Sequence, residues 1–476
     1  MRKLKLFLEN FLIYGLGGVI SKFIPLVMLP IVTRIMPTRA YFGISDLSNT
    51  LIQFSSALAI MGMFDAMYRL FFEKDDDEFK KDVCSTTLVF TITMSAFVFL
   101  LLIIFRKQVS YYFFSNTKYA YIVYISATAT LVGATNSIIS APTRMQNKRR
   151  VFLIANTLSP IISYSISIPM LLEGYYTIAL PLSSVISGVA MEIMFGVLNY
   201  KWFNPKRFNW SLLKKLLFIA VPLFPNFLIY WIFNSSDRVM ITNIIGIGAA
   251  GLYSVGSKLG NCSQLIYTAF AGGWQYFAFS TMNEDNQVKS NSLIFEYLGI
   301  VSFVSTSFIC AWSFSIFKFL FSEQYLSAYI IAPYLFLAPL LQMLFQIAAN
   351  QFLVIKKTWP NMFILLIGAL INILMNLILI PIFGIEGASL ATLVGYTVSV
   401  IICVIVLCKM RLMVISKKFI VSSMLMVVFL LIWRGIFNVN VAVSTLLAIV
   451  LTVIYLLLYS SDIKALFRIL KNEKKA

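Results

Sequence analysis

About fourteen apolar segments follow one another along this chain, each long enough to cross a bilayer. Inside hydrocarbon every backbone N–H and C=O group must find its partner within the protein, so such segments fold as membrane-spanning helices. The composition agrees, because 60% of the 476 residues are hydrophobic and only 12% are charged. The sequence therefore predicts an all-α multi-pass membrane protein and excludes a soluble enzyme. The predicted spans are 11–36, 44–71, 83–105, 119–141, 151–172, 176–199, 213–233, 249–282, 293–317, 328–355, 359–381, 387–408, 419–437 and 441–460.

Lysine and arginine are unevenly divided between the two sides that successive spans define. Most of the 38 lie on the side that takes the N-terminus, the connections at 144–150 and 201–215, and the C-terminal tail. Cytoplasmic connections of membrane proteins carry such an excess, so both termini are predicted to be cytoplasmic. The net charge of +19 then reflects orientation in the membrane, and no nucleic-acid partner is expected.

Two stretches about half the chain apart are alike. Ile168-Pro169 and Ile380-Pro381 each end a predicted span, and Gly174 or Gly384 follows before the next span begins. This pattern predicts two pseudo-symmetric six-helix lobes, 1–205 and 206–410, followed by two more helices and a basic tail in 411–476. Transporters built from internal repeats bind substrate at the interface of the repeats and use interrupted helices there.

Polar residues recur at helical spacing in three otherwise apolar spans. Facing lipid would cost several kcal/mol per group, so these stripes are expected to face water or each other. Hydrogen bonding that merely holds the helices together is the alternative interpretation. The predicted cavity residues are Asp46, Asn49 and Gln53 in the second span, Ser254, Lys258 and Asn261 in the eighth, and Gln342 and Gln346 in the tenth.

Charged residues within the spans favour a wet interior. Lys22 and Lys258 each carry an insertion cost of roughly 2.5–3.5 kcal/mol, which predicts a water-filled, cationic cavity. Because the sequence has no histidine, any proton or sodium coupling is expected to use carboxylates, and Asp46, Glu192 and Glu296 are the candidates. Five scattered cysteines without histidine predict neither a metal site nor a cofactor.

Three groups of residues, far apart in the chain, form a recognisable set. They are Phe11 to Asn49 with Lys22, Pro30, Arg34 and Gly43; Val221-Pro222, Ser235-Ser236-Asp237-Arg238 and Gly251-Leu252-Tyr253-Ser254; and Asn372, Asn376, Ile380-Pro381, Gly384, Gly387-Ala388-Ser389 and Ala391-Thr392. Together they resemble the Wzx-type polysaccharide flippases, members of the superfamily that includes the MATE drug exporters. The resemblance covers most of the chain and identifies the superfamily better than the substrate.

The resemblance implies a flippase rather than an enzyme. Its expected cargo is an undecaprenyl-diphosphate-linked oligosaccharide of the O-antigen, capsule or exopolysaccharide type, moved from the cytoplasmic to the outer leaflet of a bacterial inner membrane. Lys22 and Lys258 are expected to hold the diphosphate, with Arg34 as gate or secondary contact and the amides on sugar hydroxyls. Membrane lipids, a polysaccharide polymerase and the chain-length machinery are the expected partners.

Three other functions stay open at this point. A lipid II or teichoic-type flippase shares the anionic cargo, and charge alone does not separate it from the first interpretation. A drug exporter would need an anionic or aromatic cavity, against which the lysines argue. A membrane glycan polymerase or ligase would need a large external loop, whereas every predicted outer connection is short.

Overall fold

The computed structural model describes residues 23–267, 274, 286–355, 357 and 359–462, and within them the chain forms helices and no strand. The helices are α1 Phe23–Ile35, α2 Arg39–Ile60, α3 Met63–Phe71, α4 Asp77–Ile104, α5 Arg106–Phe114, α6 Ala120–Met145, α7 Arg149–Leu172, α8 Ala179–Asn199, α9 Trp210–Ala220, α10 Phe224–Trp231, α11 Asp237–Ile244, α12 Ile247–Gly260, α13 Gln287–Leu320, α14 Glu323–Leu326, α15 Ala332–Val354, α16 Trp359–Phe383, α17 Ile385–Lys409, α18 Lys417–Ile432 and α19 Val441–Leu458.

In the described residues, eleven helices are long and apolar enough to cross a membrane, and the bent pair α2 and α3 makes a twelfth if it is one span. The bend of 46° falls at Met61 and Gly62, which both have left-handed backbone. These spans correspond to the predicted ones except the first and the eighth, parts of which lie outside the described residues. The multi-pass helical fold is confirmed, and the count of fourteen is not.

One compact unit contains the described residues up to Val255 together with Asn372–Ala388. Its central helix is α6, which packs against α2, α4 and α8. Hydroxyl pairs join α2 to α6, because Ser48 Oγ lies 2.8 Å from Ser126 Oγ and Ser55 Oγ lies 2.6 Å from Thr130 Oγ1. Small hydroxyl residues let membrane helices approach closely and hydrogen-bond across the contact.

The second unit contains Gly256–Ile371 and the described residues from Ser389 onward. Helix α15 lies at its centre, since 94% of its most apolar stretch is buried, and α13 packs against it. Close approach of α12 to the start of α15 depends on Gly260, where a Cβ would lie 2.7 Å from Leu335 Cβ. The predicted lobes 1–205 and 206–410 and the segment 411–476 stay a prediction.

The two similar stretches of sequence have similar local structure. Helices α7 and α16 each carry proline in the last turn, Pro169 and Pro381, and each ends before a glycine with positive φ. Gly174 has φ +91° and Gly384 has φ +60°, both in the left-handed region that favours glycine. The repeated Ile-Pro and Gly pattern therefore encodes the same way of ending a helix.

Candidate functional site

The span Trp210–Ile244 is interrupted at several points along its length. It contains α9, a 3-10 turn at Val221–Leu223, α10, a turn of π-helix at Ile232–Ser236, and α11. Pro222 and Pro225 have no N–H to donate, so the regular hydrogen-bond ladder does not run through them. The π-helical turn, of a kind that often marks functional sites, ends directly before two ionic residues, Asp237 and Arg238.

Arg238 of α11 forms a buried ion pair with Asp46 of α2. Its Nε donates to Asp46 Oδ2 at 2.5 Å, and the two side chains are only 10% and 6% exposed. Ser254 Oγ of α12 donates to the same carboxylate oxygen at 2.6 Å. One carboxylate oxygen therefore joins three helices.

Further contacts fix the guanidinium in place. Arg238 Nη1 donates to the carbonyl oxygen of Asn234 at 2.5 Å, and the guanidinium lies 5.7 Å from the centre of the Tyr253 ring. Removing one partner of a buried pair typically costs about 3–5 kcal/mol, because the other charge is left in a medium of low polarity. The pair is therefore a strong constraint on how α2 packs against α11.

A second buried carboxylate, Asp237, continues the network to α16. Tyr253 Oη donates to Asp237 Oδ2 at 2.6 Å, and Asn376 Nδ2 donates to Asp237 Oδ1 at 2.7 Å. We call Asp46, Arg238, Ser254, Asp237, Tyr253 and Asn376 the polar cluster. Its carboxylate and amide oxygens are ligands of the type that hard cations prefer. Within the described ranges, however, no group of three or more His, Cys, Asp or Glu residues is placed to hold a metal.

Two glycines allow the helices of the polar cluster to meet. A Cβ on Gly43 of α2 would lie 2.4 Å from the carbonyl oxygen of Ile247, and one on Gly251 of α12 would lie 2.0 Å from that of Arg39. Real Cβ atoms do not approach so closely, so α2 and α12 are in backbone contact at this point. The contact lies one turn from Asp46 and Ser254, whose hydrogen bond depends on it.

The predicted cavity residues of α2 differ in their surroundings. Asp46 and Ser254, both predicted from the stripes, are joined directly by a hydrogen bond. Asn49 is half-buried, whereas Gln53 is exposed and accepts from Ser235 Oγ at 3.2 Å. Arg34 is exposed near the end of α1.

The remaining residues predicted to line a cavity lie on α12, in the segment after it and on α15. Lys258, one turn after Ser254, and Asn261 are exposed. Gln342 is buried at 7% exposure and Gln346 is half-buried. Lys22 lies outside the described residues.

Two of the proposed coupling carboxylates make local contacts away from the polar cluster. Glu192 of α8 is half-buried and accepts from Thr135 Oγ1 at 2.6 Å. Glu296 of α13 is buried and accepts from the backbone N–H and the Oγ of Ser416, at 2.6 and 2.7 Å. Glu296 therefore ties α13 to the start of α18.

Sequence reasoning did not select Asp237, Arg238 and Asn376 as site residues. The signal was present, because an adjacent acid and base within a strongly apolar span have a high cost unless they are paired inside the protein. The partner of Arg238, however, lies 192 residues away, and no spacing rule connects the two.

Sequence comparison identifies the family. Residues 7–280 match the profile of a family described as polysaccharide biosynthesis protein, and they make up more than half of the chain. The chain belongs to the polysaccharide biosynthesis protein family. The predicted resemblance to polysaccharide flippases is thereby confirmed at the level of the family, and no protein of curated function matches the sequence.

Solved structures show which fold this family member has. It is similar to the lipid II flippase MurJ in an inward closed conformation, with a TM-score of 0.71 and 15% identity over 95% of this chain and 99% of that one. It is also similar to an inward-facing MATE multidrug transporter of the MOP superfamily, with a TM-score of 0.64 and 12% identity over 83% of this chain and 98% of that one. A third similar structure is a mutant of the Vibrio cholerae MATE transporter VcmN, with a TM-score of 0.59 and 11% identity over 86% of this chain and 98% of that one. These matches confirm the predicted MATE-like fold.

Proposed function

We propose that this protein is a flippase that moves an undecaprenyl-diphosphate-linked oligosaccharide from the cytoplasmic to the outer leaflet of a bacterial inner membrane. Membership of the polysaccharide biosynthesis protein family carries the proposal. The MATE and MurJ fold supports a transporter rather than a polymerase or ligase. The O-antigen, capsule and exopolysaccharide pathways each supply a cargo of this class.

The cargo contact is proposed at Lys258 and Lys22, with Arg34 as a gate or secondary contact. Lys258 is exposed, although the residues from Gly251 to Ser257 before it on α12 are all buried. A lysine in an apolar helix is stable where its ammonium group reaches water or an anion, and a diphosphate supplies the anion. Asn49, Gln53, Asn261, Gln342 and Gln346 are proposed to bind sugar hydroxyls.

The polar cluster is proposed to hold the outer ends of α2, α11 and α12 together between transport events. In the topology predicted from the distribution of positive charge, Arg39 and Arg238 lie on the outer side of the membrane. Separating the helices there would break the Asp46–Arg238 pair and the Ser254 hydrogen bond at one time. Coupling to protons or sodium through Asp46, Glu192 or Glu296 is part of the same proposal.

A deletion strain tests the function directly. Loss of the gene is expected to abolish surface glycan and to accumulate lipid-linked oligosaccharide with its head on the cytoplasmic side. The wild-type gene is expected to restore export. The Lys258→Ala variant is expected to be produced at the normal level but to leave export defective. Normal glycan with increased drug sensitivity would refute the proposal in favour of drug export. Shortened glycan chains with intact translocation would refute it in favour of polymerisation.

A lipid II flippase is the second candidate, favoured by the structural match to MurJ. Proteoliposomes containing the purified protein separate the two cargoes, because each lipid-linked substrate is supplied alone. We expect the oligosaccharide lipid to be translocated faster than lipid II. Faster translocation of lipid II than of the oligosaccharide lipid would show that the protein is a lipid II flippase.

A further inference from the structure

The connection between α4 and α6 carries positive charge and no acid. Arg106 and Lys107 begin α5, and Lys118 lies in the 3-10 turn that leads to α6. The sequence has no Asp or Glu between Asp82 and Glu173. In the part of the chain that the structure describes, none of the three cations forms an ion pair. The predicted topology places this connection on the outer side, where lysine and arginine are scarce, so the group calls for an external anion.

Exposed tyrosines accompany these cations. Tyr111 and Tyr112 of α5 are 64% and 63% exposed, and Tyr121 and Tyr124, one turn apart at the start of α6, are 41% and 42% exposed. The guanidinium of Arg106 lies 5.5 Å from the centre of the Tyr124 ring, so charge and aromatic surface meet there. Tyrosine is enriched where spanning helices pass from hydrocarbon to water. We call the three cations and four tyrosines the α5 surface.

The α5 surface continues the side of α4 that faces lipid. Leu100 and Ile104, one turn apart near the end of α4, are 56% and 64% exposed, as expected for side chains in contact with hydrocarbon. Lys107 and Tyr111 follow at the next steps of three and four residues and are also exposed. The backbone N–H of Val109 donates to the carbonyl oxygen of Phe105 at 2.9 Å, which carries the helical path from α4 into α5. A partner that fits has an apolar part beside α4 and an anionic part at α5.

Helix α5 is firmly attached to the protein. Its Phe113 and Phe114 are 5% and 0% exposed, within the core that α2, α6 and α11 share. Asn243 of α11 donates through Nδ2 to the carbonyl oxygen of Tyr112 at 2.8 Å and accepts from Ser115 Oγ at 3.0 Å. The surface is therefore preformed, and a ligand loses little affinity to ordering the protein.

We propose that the α5 surface binds the headgroup of an anionic phospholipid in the leaflet beside it, the outer one in the predicted topology. Arg106 and Lys107 contact the phosphate, and the acyl chains lie along α4. A zwitterionic headgroup brings a cation as well, for which the residues from 83 to 172 offer no carboxylate. The site does not depend on the proposed cargo, because it shares no residue with the polar cluster or with the proposed cargo contacts.

Photoactivatable lipids test the surface in the reconstituted full-length protein. Phosphatidylcholine vesicles contain a small fraction of a phosphatidylglycerol analogue, or of a phosphatidylcholine analogue, with the reactive group next to the headgroup, and mass spectrometry locates the labelled peptides. We expect the phosphatidylglycerol analogue to label residues 105–124 severalfold more than the phosphatidylcholine analogue does. Unlabelled phosphatidylglycerol is expected to compete with it.

Charge variants show whether the cations cause the preference. Each cation beside an anionic headgroup contributes about fivefold in affinity, so Arg106→Gln combined with Lys107→Gln is expected to reduce labelling of 105–124 by about thirtyfold at limiting lipid. The matched control, Lys214→Gln combined with Lys215→Gln, removes two exposed charges from α9 and is expected to label 105–124 like the wild type. Lys107 is exposed, so Lys107→Glu keeps the test valid if the double variant fails to fold, and it is expected to reduce labelling at least fivefold.

Three results would overturn the proposal. Equal labelling by the two analogues would leave only a belt of tyrosines at the membrane surface, without preference for an anionic lipid. Wild-type labelling in the folded α5 variants would exclude Arg106 and Lys107 from the contact. Equal loss of labelling in the Lys214 and Lys215 control would show that total charge matters rather than the α5 surface.

Discussion

Replacing Gly251 with alanine is the sharpest test of the contact between α2 and α12. The added Cβ would lie 2.0 Å from the carbonyl oxygen of Arg39. To reach even a tight contact of 3.0 Å, the two backbones must separate by about 1 Å, and overpacking of this kind costs about 1–3 kcal/mol.

The same displacement affects the polar cluster. Ser254 follows Gly251 by three residues on α12 and donates to Asp46 at 2.6 Å. A movement of about 1 Å lengthens this distance to about 3.6 Å, beyond the range of a hydrogen bond. Loss of a hydrogen bond to a charged group contributes roughly another 1.5–3 kcal/mol. Gly251→Ala is therefore expected to lower stability and to release the proposed outer contact.

The assay combines thermal unfolding of the purified protein with glycan export in the deletion strain. Gly196→Ala is the matched control, because a Cβ there meets nothing within 4 Å and alanine is favoured over glycine in a helix by about 0.5–1 kcal/mol. The control is expected to keep wild-type export and to be as stable as the wild type or slightly more stable. Wild-type behaviour of Gly251→Ala in both measurements would refute the close backbone contact and the dependence of the polar cluster on it.

Three more predictions concern the ionic residues. Asp46→Asn and Arg238→Leu are each expected to destabilise the protein by about 3–5 kcal/mol, and the double variant is expected to lose less than the sum of the two. Chemical denaturation in detergent measures these free energies of unfolding. Strictly additive losses would contradict a direct interaction between Asp46 and Arg238. Lys258→Ala is expected to stop translocation in proteoliposomes. Lys215 is an exposed lysine of α9, and the control Lys215→Ala is expected to leave translocation unchanged. Equal translocation rates for the two variants would exclude a cargo contact at Lys258. Glu192→Gln retains an acceptor oxygen, so the fold is expected to persist while transport loses its dependence on pH; an unchanged pH profile would remove Glu192 from the coupling proposal.

Part of the candidate site was accessible to sequence reasoning. Asp46 and Ser254 lie on stripes of polar residues at helical spacing, and the rule that such residues avoid lipid selected both. The same rule does not say which stripe meets which. It treated Lys258 and Ser254 as equivalent members of one stripe, although Ser254 is fully buried and Lys258 is exposed.

The hydropathy of the chain by itself determined the class of protein and the approximate limits of most spans, because a bilayer acts on each segment locally and the length of an apolar segment suffices. The predicted orientation came from the distribution of lysine and arginine between the connections. Tertiary structure alone decided that Arg238 pairs with Asp46 and that Gly43 and Gly251 bring α2 against α12. A hydrogen bond or a backbone contact forms between groups that packing places within a few ångströms, and packing depends on many side chains at once. No local pattern in the sequence records that arrangement.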